Sequence, residues 1–300
     1  MQVFLTGATG FIGSRVTRLL LQRGHRVLGL CRSEKAACLL REAGAQPYHG
    51  TLEEPQSLAS GAAAADAVIH TAFDHDFSRF VENTQKDSRV IHAIGESLAS
   101  TDKPFIITSG TGMGGGGPDK LATEDVLDLS HPNPRVASEL AGEAMRMQGI
   151  SVAVVRLPQV HDTLKQGLIT PLIALAKARS ISAYVGDGCN RWPAAHVDDV
   201  ARLYCMALEQ HVSGARWHAV AEEGIRMRDI AEVIARSLGI PAASLTPGEA
   251  IEHFGWLSGF AALDMPASSE RTRKRLGWRP TGPTLLEDLA RSSEDDRRTD

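Results

Sequence analysis

The opening segment MQVFLTGATGFIGSRVTRLL runs an apolar strand into a glycine-rich turn and then into a helix-period stretch from Phe11 to Leu21. A chain that turns this sharply needs small residues at the turn. Gly7, Gly10 and Gly13 supply them, so the backbone of Thr9, Gly10, Phe11, Ile12 and Gly13 is free to approach an anion with its N–H groups facing outward. The spacing is GxxGxxG, looser than the usual dinucleotide fingerprint, and it acquires meaning from its place between a strand and an apolar-faced helix. The implied ligand is the pyrophosphate of a dinucleotide.

The alternation continues. HRVLGLC reads as a second strand, Lys35 to Ala43 as a helix and Gln46 to His49 as a third strand. An Ala-rich segment then ends in the strand DAVIHTAF, followed by a helix over Ser88 to Leu98, the β-branched run PFIITSG, a helix over Pro134 to Met147 and the strand VAVVRLP. Six parallel strands with crossover helices make this an α/β protein with a doubly wound parallel-sheet Rossmann fold, which binds its ligands at the carboxyl ends of the strands. Beyond Pro158 the pattern loosens into helices over Leu168 to Ala178 and Val197 to Leu208, separated by the irregular stretch YVGDGCNRWPAAH. The strand RWHAV and short helices over Arg228 to Leu238, Ser268 to Leu276 and Thr284 to Leu289 follow. This reads as a smaller, mostly helical C-terminal substrate lobe. The expected division is a dinucleotide domain over 1–160 with 186–221 returning to it, and a substrate lobe over 161–185 and 222–300. A small molecule is expected in the cleft between them.

Composition excludes other classes. The net charge of -4 supplies no basic field for nucleic acid, and no apolar run reaches the length of a membrane span. The N-terminus enters a strand at once, leaving no room for a signal peptide, so a cytoplasmic location is expected. The four cysteines, Cys31, Cys38, Cys189 and Cys205, have neither CxxC nor metal-ligand spacing and read as reduced packing thiols. No metal site is expected. The tail SSEDDRRTD reads as a charged, solvated end. A homodimer is left open.

With TGATGFIG, the strand-ending DAVIHTA, the PFIITSG run and AAHVDDVARLY, the chain resembles the extended and atypical short-chain dehydrogenase/reductase superfamily over nearly its whole length. The late segments GDGCNRWPAAHVDD and SSERTRKRLGWRPTGPTL look like an atypical subgroup related to epimerases and dehydratases. Fold alone does not set the chemistry.

At the end of the second strand, an acidic residue would select NAD and an arginine NADP. The residues here are Arg32 and Ser33, which points to NADP(H). The resemblance implies further cofactor contacts. GTLEEP looks like the superfamily's turn over the adenine and nominates Thr51 and Leu52. Thr71, Ala72 and Phe73 fall where that superfamily lines the pyrophosphate and nicotinamide ribose. Pro158, Gln159 and Val160 fall where the nicotinamide amide docks.

The superfamily's proton donor is the Tyr of YxxxK, and no YxxxK exists in this chain, whose three tyrosines are Tyr48, Tyr184 and Tyr204. Alignment places Arg135 at the Tyr position and Glu139 at the Lys position. The family's hydroxyl corresponds to Ser109 or Thr111, and Asp87 falls near the family's Asn. Arg135 with Thr111 or Ser109 would stabilise a developing alkoxide, water or a histidine supplying the proton. A structural Arg135–Glu139 ion pair is the competing reading. The candidate histidines are His70, His75, His131 and His161, with His131 first. In the second lobe Asn190, Arg191 and Trp192 suit a polar or cyclic substrate, and Asp74 lies at the fourth strand's end facing the same cleft. His196, Asp198 and Asp199 read as a helix cap. The leading expectation is an NADP(H)-dependent reductase of a carbonyl or related group. The alternatives are a catalytically silent NADP(H)-binding sensor or scaffold, and a nucleotide-sugar epimerase or dehydratase.

Overall fold

Val3 and Leu5 point to one face of the first strand and Phe4 to the other, and all three are fully buried, so helices must cover both faces. A computed structural model describes residues 1–115 and 120–296. The elements of the first half are β1 (Gln2–Thr6), α1 (Phe11–Gln22), β2 (Arg26–Cys31), α2 (Glu34–Glu42), β3 (Gln46–His49), α3 (Pro55–Ala63), β4 (Ala67–His70) and α4 (Phe80–Ser97). They continue with β5 (Phe105–Gly110), α5 (Val136–Met147), β6 (Val152–Leu157), β7 (Gln159–His161), α6 (Ile169–Arg179), β8 (Ser182–Val185), β9 (Arg191–His196) and α7 (Val197–Glu209). The last are β10 (Arg216–His218), β11 (Glu222–Arg226), α8 (Met227–Leu238), β12 (Ala242–Leu245), α9 (Pro247–Phe254), α10 (Ser258–Ala261), α11 (Glu270–Leu276) and α12 (Leu285–Asp296).

The central sheet has seven strands in the order β3-β2-β1-β4-β5-β6-β10, all parallel. From β1 the chain winds outward first through β2 and β3, then through β4 onward. That reversal opens a crevice at the carboxyl ends of β1 and β4. Val3 and Leu5 pack with Val16 and Leu20 of α1 and Leu203 of α7 on one face. Phe4 packs with Leu58 of α3, Ile91 of α4 and Met145 of α5 on the other. A further cluster of buried residues gathers around Ile169, Trp192, Ile230, Phe254 and Leu285.

The sequence reading counted six parallel strands. The seventh is Arg216–His218, which pairs with β6 after a crossover too long to be read from local pattern. The stretch read as irregular holds the end of β8 and all of β9: β9 lies parallel to β7 and antiparallel to β11, and β8 pairs with β12. Four consecutive residues of the six in β9 are buried, so burial on both faces erased the alternation. Helix α4 begins at Phe80 rather than Ser88, and α5 at Val136 rather than Pro134. The tail read as solvated from Ser292 continues α12 as far as Asp296, and 297–300 lie outside the described residues. Among the described residues no helix is long and apolar enough to cross a membrane, and no His, Cys, Asp and Glu cluster could hold a metal. All four cysteines are free.

A candidate active site at the carboxyl ends of the central strands

The glycine turn has no room for side chains. Gly7 has φ +68°, and a Cβ there would lie 2.9 Å from the Ala72 nitrogen; one on Gly13 would lie 2.0 Å from the Gly7 carbonyl oxygen. Gly10 is the N-cap of α1, which has no side-chain cap and no acidic residue in its first turn. Helix α7, by contrast, is capped by His196 and carries Asp198 and Asp199 in its first turn. The N–H groups and positive end of α1, where Thr9, Phe11 and Ile12 sit, therefore remain free for an anion. These residues fit a dinucleotide pyrophosphate.

Arg32, exposed just after β2, forms no ion pair among the described residues, whereas Glu34 is held by Arg41 at 2.6 Å. Ser33 caps α2, its hydroxyl accepting from the Ala36 N–H at 3.3 Å. Thr51 and Leu52 follow β3, with Thr51 tied to Ser57. Lys86, almost fully buried on α4, joins this loop to the next by pairing with both Glu53 and Asp74. Asp74, expected to face substrate, is occupied there, and Lys86 holds its carboxyl below the usual range.

From the glycine turn a buried hydrogen-bonded chain leads to Arg135. The Thr6 hydroxyl accepts from the Thr71 and Ala72 N–H groups, each at 3.1 Å, and contacts His70 Nδ1 at 2.7 Å. With both lone pairs taken, the hydroxyl must donate to Nδ1, which leaves the histidine proton on Nε2. That N–H donates to Asp87 Oδ1 at 3.0 Å. Asp87 Oδ2 accepts from Arg135 at 3.0 Å and from the Ser138 hydroxyl at 2.6 Å. Burial raises the Asp87 pKa, but Arg135 and His70 outweigh it and hold the carboxyl below its ordinary value. A second guanidinium N–H donates to the Thr108 carbonyl at 2.9 Å, and the Arg135 Cζ stands 3.9 Å from the centre of the Phe73 ring. Asp87 thus links His70 to Arg135, and the proton on His70 Nε2 is taken up by Asp87.

Arg135 and Glu139 are not paired with each other. Glu139 binds Arg156 of β6 through two hydrogen bonds of 2.7 and 2.8 Å, with both side chains essentially inaccessible. Arg156 also donates to the Val126 carbonyl at 2.9 Å and faces His218 Nε2 at 3.2 Å. Burial, with the Arg156 charge, lowers the His218 pKa to about 3. Sequence reasoning missed Arg156 because it sits inside an apolar strand run, VAVVRLP; a charge there was itself the signal that a buried carboxylate must exist.

Ser109 lies at the end of β5 on the face covered by α5, buried, with its hydroxyl unpartnered among the described residues. Thr111, also buried, opens the following turn. His131 borders that turn: a Cβ on Gly112 would lie 3.6 Å from its Nε2, and its Nδ1 accepts from the Asn133 N–H. His75 is exposed beside Phe73. His161 is fully buried, bonded to Asp288 at 2.7 Å, and burial lowers its pKa. Gln159 accepts from the Leu168 N–H at 2.8 Å and so fixes the start of α6, between half-buried Pro158 and buried Val160.

Asn190, Arg191 and Trp192, expected at the substrate, are engaged elsewhere. Asn190 donates to the Ala261 and Leu263 carbonyls, Arg191 pairs with Asp264 at 2.7 Å, and Trp192 is fully buried with its N–H on the Leu263 carbonyl. They anchor the segment 261–264 to β9.

A strand–glycine turn–helix at the switch point of a doubly wound sheet defines a dinucleotide-binding class of fold. The model of the NAD dependent epimerase/dehydratase family matches residues 3–220, and the chain belongs to that family. It is 47% identical over 291 residues to the uncharacterised protein C2A9.02 of Schizosaccharomyces pombe, covering 97% of this chain and 98% of the relative. Vestitone reductase of Medicago sativa is 29% identical over 255 residues, covering 72% of this chain and 76% of that protein. The dTDP-glucose 4,6-dehydratase DesIV of Streptomyces venezuelae, solved with NAD and TYD bound, shares the fold with a TM-score of 0.78 at 19% identity, covering 99% of this chain and 97% of that one.

Proposed function

We propose that the chain is an NADP(H)-dependent reductase acting on the carbonyl group of a small molecule. The observation that carries this reading is the Arg135 guanidinium, fixed by Asp87 and the Thr108 carbonyl and stacked on Phe73 at the sheet's carboxyl edge. A guanidinium has five N–H donors, and those not engaged by Asp87 and Thr108 remain for a ligand oxygen. The bound dinucleotide would supply hydride for the reduction. Arg135 stays protonated, so its part is to orient the carbonyl oxygen and stabilise negative charge on it, with the Thr111 hydroxyl as a second donor. Acceptance of the Asn133 N–H at Nδ1 places the neutral His131 proton on Nε2, beside Gly112, which supports His131 as the donor to that oxygen. Thr71, Ala72 and Phe73 frame the nicotinamide side, and Pro158, Gln159 and Val160 its amide. Arg32, in no ion pair among the described residues, with Glu34 neutralised by Arg41, supports selection of a 2′-phosphate.

A silent NADP(H)-binding sensor is the second reading, favoured by the occupation of two of the tyrosine hydroxyls. Tyr48 donates to the Ser57 carbonyl, and Tyr204 is buried against the Thr108 hydroxyl at 2.6 Å. An epimerase or dehydratase ranks lower, because Arg135 stands where a proton acceptor is needed.

Mixing the protein with NADPH and a panel of aldehydes, ketones, enones and imines tests the proposal through loss of nicotinamide absorbance. Turnover is expected; tight NADPH binding without turnover on any compound selects the sensor. Arg32→Ala should weaken NADPH about ten- to hundredfold more than NADH. Equal losses would remove Arg32 from the 2′-phosphate site.

A further inference from the structure

A line of aromatic rings runs outward from Arg135. Phe73 lies beneath the guanidinium, Phe80 is 6.2 Å from Phe73, and Phe77 is 5.3 Å from Phe80. Trp256 then stacks on Phe77 at 5.0 Å with the planes 14° apart. The line crosses from the segment after β4 to the turn Gly255–Leu257 of the second lobe. Aromatic residues make up only 5% of the chain. The other three tryptophans, Trp192, Trp217 and Trp278, are at most 1% exposed, whereas Trp256 is 52% exposed.

We infer that the site takes a flat aromatic carbonyl compound, with its ring system against Phe80, Phe77 and Trp256 and its oxygen at Arg135; this rests on the reductase reading above. Three observations support it. Ring centres 5 to 6 Å apart form a continuous apolar surface that reaches the group holding the carbonyl oxygen, and flat rings gain most from such a surface through offset and edge contacts. Two of the three carboxylates along the segment are neutralised, Asp74 by Lys86 and Glu82 by Arg79, while exposed Asp76 is tied to Ser78 as the cap of the turn at Phe77. The polar side chains of the loop expected to hold a polar or cyclic substrate, Asn190 and Arg191, are tied to the segment 261–264.

The test compares 2-acetonaphthone with butan-2-one. Wild-type protein should reduce the naphthone with the lower KM. In Phe77→Ala and Trp256→Ala the ratio of the naphthone KM to the butanone KM should rise about tenfold, while Trp256→Phe should retain most of the wild-type ratio. Rings that merely join the lobes would affect both ketones alike, and an unchanged ratio overturns the inference. Equilibrium dialysis of 2-acetonaphthone against protein saturated with NADP⁺ reads binding without turnover. Binding that the two alanine variants lose, in a protein that reduces nothing, keeps the aromatic site and rejects the reductase. Reduction of butan-2-one without naphthone binding keeps the reductase and rejects the aromatic site.

Discussion

Two buried arginine–carboxylate pairs meet helix α5, and they differ in what surrounds them. The Glu139–Arg156 pair is closed: neither side chain exceeds 1% exposure, and the remaining donors of Arg156 meet backbone carbonyls and His218. The Asp87–Arg135 pair has one closed end and one open. Asp87 is sealed by His70 and Ser138, while Arg135 keeps 12% of its side chain exposed at the sheet edge, over Phe73. Closed pairs fix geometry; a pair with one accessible cation also has something to offer a ligand. The comparison teaches that the positions corresponding to the superfamily's catalytic Tyr and Lys carry two charges with separate partners, one in a pair sealed from water and one in a pair that leaves its cation accessible.

The largest expected effect that would break this contrast is on stability. Arg156→Leu removes the two-hydrogen-bond partner of the buried Glu139 carboxylate and leaves it only the longer 3.5 Å contact with half-buried Arg216, which should cost about 3 kcal/mol in urea unfolding. The double variant Arg156→Leu/Glu139→Leu should recover most of it, and a single-variant loss below about 1 kcal/mol would show that the pair is not closed in solution. Next comes Arg135→Leu, which should lower kcat about 10²–10³-fold with NADPH binding retained. If the two arginine variants lose stability equally and Arg135→Leu keeps its kcat, the pairs are equivalent and the contrast fails.

The smallest effect concerns pH. His218 has its folded pKa lowered from 6.5 to about 3, by burial first and by Arg156 second. Between those values the unfolded chain binds a proton that the folded chain refuses, so stability should fall as pH drops below 6.5, by about 1.4 kcal/mol per pH unit, until the folded form also protonates. His218→Gln should flatten that decline in unfolding curves taken between pH 7 and pH 5. An undiminished slope would place the responsible group elsewhere.

Much of the Rossmann half is legible from local pattern. The span predicted for β3, Gln46 to His49, is the span observed, and Gly7 occupies the positive-φ turn the motif requires. The legible parts of the candidate site are its sheet-end positions: the resemblance to the superfamily nominates Thr71, Ala72, Phe73, Ser109 and Thr111, and the structure places them at or just beyond the carboxyl ends of β4 and β5. The illegible parts are polar partnerships. Asn190 to Trp192 have the composition of a binding loop, yet their polar atoms close onto 261–264, some seventy residues on. Trp256 attracts no notice in sequence, and its stack on Phe77 joins segments far apart in the chain.

What the sequence determined by itself is what arises within a few residues: a glycine turn where no Cβ fits, and strands whose apolar runs demand cover on both faces. Only the tertiary structure decided who pairs with whom. Arg135 and Glu139 are one helical turn apart, which by local arithmetic makes them partners. Each is instead paired across the fold, with Asp87 and Arg156. The physical reason is burial. An exposed charge on a helix can take its neighbour or water, but one that the fold removes from water must be met by whichever opposite charge the packing brings to it.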